Sequence, residues 1–456
     1  MMPSQVEVTP VPRVRGLPVL GNLLEFREDR SRLAVRVARE FGDIARLRLG
    51  FIPVTMISSP DLVKELLVDK EDAFIKAPGL SYFARPLLGN GLLTSEQGFH
   101  RTQRRMIAPM FIHKRIGAYA QTMVERGEKS AARWRDGESL DVAREMMSLT
   151  LEIVGKTLFD AEVGAEAVEI GEALTAAMEH IIESINSLIP IPRSWPTPRN
   201  RRNARAVARL DETIYRMIRE RRASGEDRGD LLSMLLLARD HESADAKGMD
   251  DRQVRDEAMT LFLAGHETTA NALAWTWYLL ARHPHAYARL LREVDEVLGG
   301  RPPTMEDLPR LPYTLQVFKE AMRLYPPAYV LGRMARHEVT LGGHSIPRNG
   351  IVIVSIIGMQ RRASWFPDPD AFDPERFSTE NEKKIPRYAY LPFGAGPRVC
   401  IGNHFATMEG QLLVATIAQR ARFELAPGVR VEPEPLVTLR PRGGMPMRVR
   451  LRGVQS

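Results

Sequence analysis

The sequence predicts a mainly α fold with small β-sheets, organised as a single domain over residues 1–456. Three observations carry this. The texture from Pro60 to about Gly300 is helical with Pro-rich breaks, notably at 187–202. One helix candidate, Asp250 to Arg282, is far longer than the rest. Strand-like runs are short and scattered.

Residues 1–24 are rich in Pro and Gly and suit a surface path. Residues 44–58 partly alternate and contain Gly50, which predicts a short hairpin. In the long candidate, aspartates 250 and 251 suit the N-terminus and Pro284 marks the end. At 1.5 Å per residue it would span roughly 50 Å. Its middle is apolar on most sides, but Gly265, His266, Glu267, Thr268 and Thr269 would lie at mid-bilayer in a membrane span. A buried central helix is the better reading. A further helix is predicted from Pro312 to Leu324, stopped by Pro326 and Pro327. Residues 350–357 predict a buried strand, 403–420 a helix, and 435–451 a terminal hairpin turning at Gly443 and Gly444.

Composition narrows the class. The chain has 456 residues, 44% hydrophobic and 27% charged, enough for a large core and too apolar for disorder. A net charge of +7 without a long Lys/Arg block gives no indication of nucleic-acid binding. The single cysteine excludes an internal disulfide. The N-terminus lacks an apolar run of signal-peptide or membrane-anchor length, so a soluble, cytoplasmic protein is expected.

That cysteine, Cys400, lies in the glycine-rich stretch FGAGPRVCIG at 393–402, just before the helical run. A helix N-terminus presents unpaired N–H groups and positive partial charge, which favour a thiolate. Gly394, Gly396 and Gly402 allow close backbone approach to the sulfur or to a flat cofactor. Arg398 is placed to meet a carboxylate. A buried, inert thiol is the alternative for any lone cysteine.

The pattern Phe393, Gly396, Arg398, Cys400, Gly402 resembles the haem-ligand signature of the cytochrome P-450 family. Three further stretches are similar to family motifs, in the same order along the chain. EAMR at 320–323 resembles the Glu-x-x-Arg motif, and PERF at 374–377 the segment whose arginine joins it. The resemblance implies a buried structural network of Glu320, Arg323 and Arg376; an exposed helix ion pair is the alternative. AGHETT at 264–269 resembles the oxygen-activating segment, where a local helix opening beside Gly265 holds dioxygen and water.

The resemblance covers nearly the whole chain and implies the cytochrome P-450 fold, with haem b (iron protoporphyrin IX) between the long central helix and the cysteine-loop helix. It implies Cys400 as the iron ligand and Thr268 and Glu267 as the catalytic pair, Thr268 hydrogen-bonding dioxygen and Glu267 relaying protons. Cofactor contacts fall on His100, Arg104, Arg333, Arg398, Phe393 and Gly265, the first two at one-face helical spacing. A solvated basic face is the alternative for His100 and Arg104. The implied reaction is oxygen insertion into a hydrophobic small molecule, with an apolar pocket including Leu80, Phe83, Leu92, Leu263, Tyr329 and Val437. The chain ends soon after the cysteine loop, so no fused reductase is expected. Electrons would come from NAD(P)H through a reductase and a ferredoxin or flavodoxin. Arg101, Arg104, Arg105, Lys114 and Arg115 are a candidate docking face. A monomer is expected. A peroxide-using or peroxide-rearranging enzyme and a non-catalytic haem protein remain open as alternatives, and the Glu267–Thr268 pair weighs against both. A zinc-protease reading of His266 and Glu267 fails because Ala270 stands where a second histidine is required.

Overall fold

The computed structural model describes residues 9–161, 167–187, 192, 194–239, 248–426 and 428–453. The side chains of Leu80 and Lys114, and part of the Pro-rich break at 187–202, lie outside the described residues. The chain forms two compact units.

The first unit comprises Met1–Tyr82, Arg323–Ala371 and Thr379–Cys400. Its frame is a five-stranded sheet of β1 (Ile44–Leu49), β2 (Ile52–Ile57), β3 (Phe74–Lys76), β4 (Val330–Ala335) and β5 (Ile351–Ser355). The spatial order is β1-β2-β5-β4-β3. The hairpin expected at 44–58 is there: Leu49 pairs with Ile52 across Gly50, whose φ of +63° suits only glycine without strain. β2 runs parallel to β5, and the other pairings are antiparallel. β-branched residues make β5 a central strand: Val352 and Val354 are fully buried, with Ile57, Val63 and Leu66 around them. Leu391 and Ala395 belong to the same core, so the root of the cysteine loop is fixed by sheet packing.

The second unit comprises Phe83–Met322, Phe372–Ser378 and Ile401–Ser456. Its helices include α1 (Gln97–Ile107), α2 (Val142–Phe159), α3 (Ala167–Asn186), α4 (Asp251–Arg282), α5 (Pro312–Leu324, which ends in the first unit) and α6 (Asn403–Arg420). α4 is the long helix, and its N-cap is Asp250, whose carboxylate accepts from Gln253 N–H at 2.7 Å. α4 packs on α2 at three levels. Phe262 meets Phe159 edge-to-face, with centroids 5.6 Å apart. The His266 carbonyl accepts from the Thr150 hydroxyl at 3.0 Å. Gly265 faces Val154, where a Cβ would stand 3.1 Å from a valine methyl. Among the described residues no helix is long and apolar enough to cross a membrane.

The C-terminal hairpin differs from the expectation. The hairpin pairs β6 (Pro433–Pro435) with β7 (Leu439–Pro441) and turns at residues 436–438. Gly443 and Gly444 instead lead into Pro446–Leu451, which pairs with Ala421–Leu425 and Ser139–Asp141. The physical reason is Asp141. Its carboxylate accepts from Met445 N–H at 2.9 Å and presses against the face of Gly444, so the glycine pair serves a close approach to Asp141.

Candidate functional site

The cysteine loop, in the first unit, closes on itself: Cys400 N–H donates to the Phe393 carbonyl at 2.8 Å. Gly394 and Gly396 have φ of +71° and +70°. A Cβ at Gly396 would strike the Leu67 carbonyl, so this glycine lets the loop pack on the helical turn Glu65–Asp69. A Cβ at Gly394 would meet only a Leu331 methyl at 3.8 Å. Cys400 itself is exposed, although Leu391 and Ala395 nearby are buried, and the inert buried-thiol reading fails on that observation.

Two arginines lie in the same unit. Arg398 is nearly buried and pairs with Glu71 at 3.4 Å. Arg333 projects from β4 opposite Val352, with a guanidinium N–H donating to the Gly332 carbonyl at 3.0 Å. Fully buried Arg323 donates to the carbonyls of Gln360 (2.8 Å), Pro369 (2.7 Å) and Ala371 (2.9 Å). Gln360 in turn donates to the Arg323 carbonyl and accepts from Leu391 N–H, both at 2.9 Å. Arg323 is thereby connected to the base of the cysteine loop.

Within the second unit, Glu320 has no exposed surface, accepts from Asp373 N–H at 3.0 Å and lies 3.4 Å from Arg376 Nε. The exposed ion-pair alternative is therefore excluded for the Glu-x-x-Arg stretch. His100 on α1 is also buried, which removes it from a solvated basic face; Arg104 is half-buried and Arg101 and Arg105 are exposed. Arg115 turns toward Gly229 O and Met234 Sδ, and the side chain of Lys114 lies outside the described residues.

α4 carries the remaining candidates. It stays α-helical through Gly265. The hydroxyls of Thr268 and Thr269 bond back to the carbonyls of Ala264 (2.8 Å) and Gly265 (3.4 Å). Ala264 is exposed in the middle of this otherwise buried helix, and Gly265, Glu267 and Thr268 are half-buried. One stripe of α4 therefore faces open space, and the acid and the alcohol border it. Burial pushes the Glu267 carboxyl above its usual range, opposed by the Thr438 hydroxyl and by Arg440. Thr438 donates to Glu267 Oε1 at 2.6 Å. His266, on the buried side, is held down to about 4 by burial, and its Nδ1 lies 3.0 Å from the Phe262 carbonyl.

The family model described as Cytochrome P450 matches residues 10–445. The chain belongs to the cytochrome P-450 family. Its relatives include cyclooctatin synthase of Streptomyces melanosporofaciens, 41% identical over 93% of this chain and 92% of that protein. Cyclooctat-9-en-7-ol 5-monooxygenase of the same organism is 40% identical over 91% and 89%. Pentalenene oxygenase of Streptomyces avermitilis is 33% identical over 90% of each. The protein is a cytochrome P-450 monooxygenase. Membership implies a haem cofactor, and the residues present fit one: the sole thiol is exposed in a glycine-bearing loop, with cationic Arg333 and Arg398 in the same unit.

Sequence reasoning missed four residues of this cytochrome P-450. Gln360, Asn271 and Thr438 act through contacts distant in sequence. Glu409 on α6 is fully buried, and neither carboxyl oxygen has a hydrogen-bond partner among the described residues. Burial pushes it up to about 8, opposed by the neighbouring Thr269 hydroxyl. Its one signal was an acid inside an apolar helical run.

Proposed function

We propose that this cytochrome P-450 hydroxylates or epoxidises a terpenoid hydrocarbon or alcohol in the cytoplasm, as a monomeric haem domain. The proposed electron source is NAD(P)H, through a reductase and a ferredoxin or flavodoxin. The observation that carries the reading is the open stripe of α4, bordered by an acid and an alcohol at adjacent positions. Simple haem binding needs no such pair. The names of the relatives support the substrate class.

In this reading Cys400 ligates the iron, while His100, Arg104, Arg333 and Arg398 meet the cofactor's carboxylates. Phe393 and Gly265 border it. When bound, haem b supplies the iron that activates dioxygen, with a thiolate ligand that pushes electron density onto the metal. The chain's own residues manage protons. The Thr268 hydroxyl gives its hydrogen to Ala264 O, which leaves its lone pairs to accept from water and orient it. Glu267, shifted upward by burial, is the proton source beside it.

The test is turnover of a terpenoid panel with NADPH, ferredoxin and ferredoxin reductase under labelled dioxygen. One labelled oxygen atom in the product is the expected result. Product formed from peroxide alone, with none from the reductase chain, would overturn the dioxygen route.

A further inference from the structure

The hairpin of β6 and β7 is fastened to α4 along one helical stripe. Glu267, Asn271 and Trp275 lie four residues apart, so they stack on one face. Each meets the hairpin. Glu267 Oε1 accepts from the Thr438 hydroxyl at 2.6 Å. Asn271 Nδ2 donates to Thr438 Oγ1 at 3.1 Å. Trp275 Nε1 donates to the Leu439 carbonyl at 2.9 Å. Asn271, Trp275, Thr438 and Leu439 are all buried, so water does not substitute for these bonds.

The direction of these bonds matters. A hydroxyl has one hydrogen. Asn271 donates an N–H to a lone pair of Thr438 Oγ1, and the hydroxyl hydrogen is directed at Glu267 Oε1. Oε1 of Glu267 is therefore an acceptor, and the acid's own proton belongs on Oε2. From this directed chain we infer that Thr438, oriented by Asn271, is a positioning residue that fixes which oxygen of Glu267 holds the transferable proton and which way it points.

The surroundings agree. Arg440, two residues on, is engaged by Glu434 (2.8 Å) and by Glu179 of α3 (3.2 Å). Its charge is compensated there, which leaves the neutral hydroxyl as the direct partner of Glu267. The hydroxyl stabilises the ionised form, so it keeps the acid from holding its proton too tightly.

This inference rests on the proton-source reading of Glu267, and its test is independent of turnover. The infrared C=O stretch of the protonated Glu267 carboxyl is assigned by its loss in Glu267→Gln. Its frequency and titration midpoint are then followed in the haem-loaded protein carrying Thr438→Val, Thr438→Ser or Asn271→Leu. Thr438→Val keeps the side-chain volume and removes the hydroxyl. The expected result is a higher C=O frequency and an upward-shifted midpoint in Thr438→Val, near-native behaviour in Thr438→Ser, and a broadened band in Asn271→Leu. An unchanged band and midpoint in a folded Thr438→Val protein would overturn the inference. If the band shifts as stated but Glu267→Gln leaves coupling of NADPH to product intact, the proton-source reading fails and the positioning by Thr438 stands.

Discussion

Two neighbouring threonines of α4 each stand beside an acid, and the two acids are kept in opposite ways. Glu267 borders the open stripe and has a hydroxyl partner in Thr438. Glu409 is sealed in the protein next to Thr269, with neither oxygen in a hydrogen bond among the described residues. Burial raises both; the Thr438 hydroxyl and Arg440 pull Glu267 back, whereas Glu409 has only the Thr269 hydroxyl to oppose its burial. An acid that must exchange a proton needs access and a partner that lowers the cost of ionising. Glu409 lacks the access and has only the Thr269 hydroxyl beside it, so it stays a neutral, destabilising feature of the core. The difference teaches that burial alone does not mark a proton donor.

Glu320 sharpens the contrast, because it is buried as deeply as Glu409 but bonded to Asp373 N–H and Arg376. Glu320→Ala removes a fully buried carboxylate from beside Arg376 and from Asp373 N–H and should cost about 3–5 kcal/mol. Denaturant unfolding of the variant checks this, and a near-native midpoint would remove the network from the account. Glu409→Gln is the reverse case. With the carboxyl held at about 8 in the fold against an ordinary 4.5, the folded state binds more protons than the unfolded one between those values. Its contribution therefore falls as pH rises through that window. At pH 7 the amide should recover on the order of 3 kcal/mol.

His266 has the opposite sign. Held down to about 4 against 6.5, its contribution is complete above pH 6.5 and is lost as pH falls toward 4. Stability measured from pH 4 to 8 in Glu409→Gln and His266→Asn should separate the two slopes. A native slope in Glu409→Gln between pH 6.5 and 8 would contradict the unpartnered-acid reading. For Glu267→Gln the expected change is in chemistry: a loss of about 10²-fold in coupled turnover with little change in stability. Thr268→Ala should release peroxide while haem binding is retained, measured as the ratio of product to NADPH consumed. The smallest expected effect is Asn271→Leu, about 1 kcal/mol in unfolding free energy for one buried hydrogen bond.

Local chemistry was legible in the sequence. Asp250 caps α4 as its position implies, Gly50 turns the first hairpin, and the single thiol sits exposed in its glycine loop. Less legible was why particular residues are there. Gly396 admits the Leu67 carbonyl, Gly265 admits Val154, and Gly444 admits Asp141. Each reason lies in a partner far along the chain, and no local pattern encodes it. The terminal hairpin was misplaced for that cause: Gly443 and Gly444 look like a tight turn until Asp141 is beside them. Thr438 and Asn271 share the difficulty, being ordinary polar residues 167 positions apart until the fold joins them.

The central claim is that Cys400 ligates haem iron. It is tested most directly by the carbon monoxide difference spectrum of the dithionite-reduced protein, recorded beside Cys400→Ala. The account predicts a strongly red-shifted Soret band in the native protein and its loss in the variant. A band typical of histidine-ligated haem, or the same red-shifted band surviving in Cys400→Ala, would contradict it.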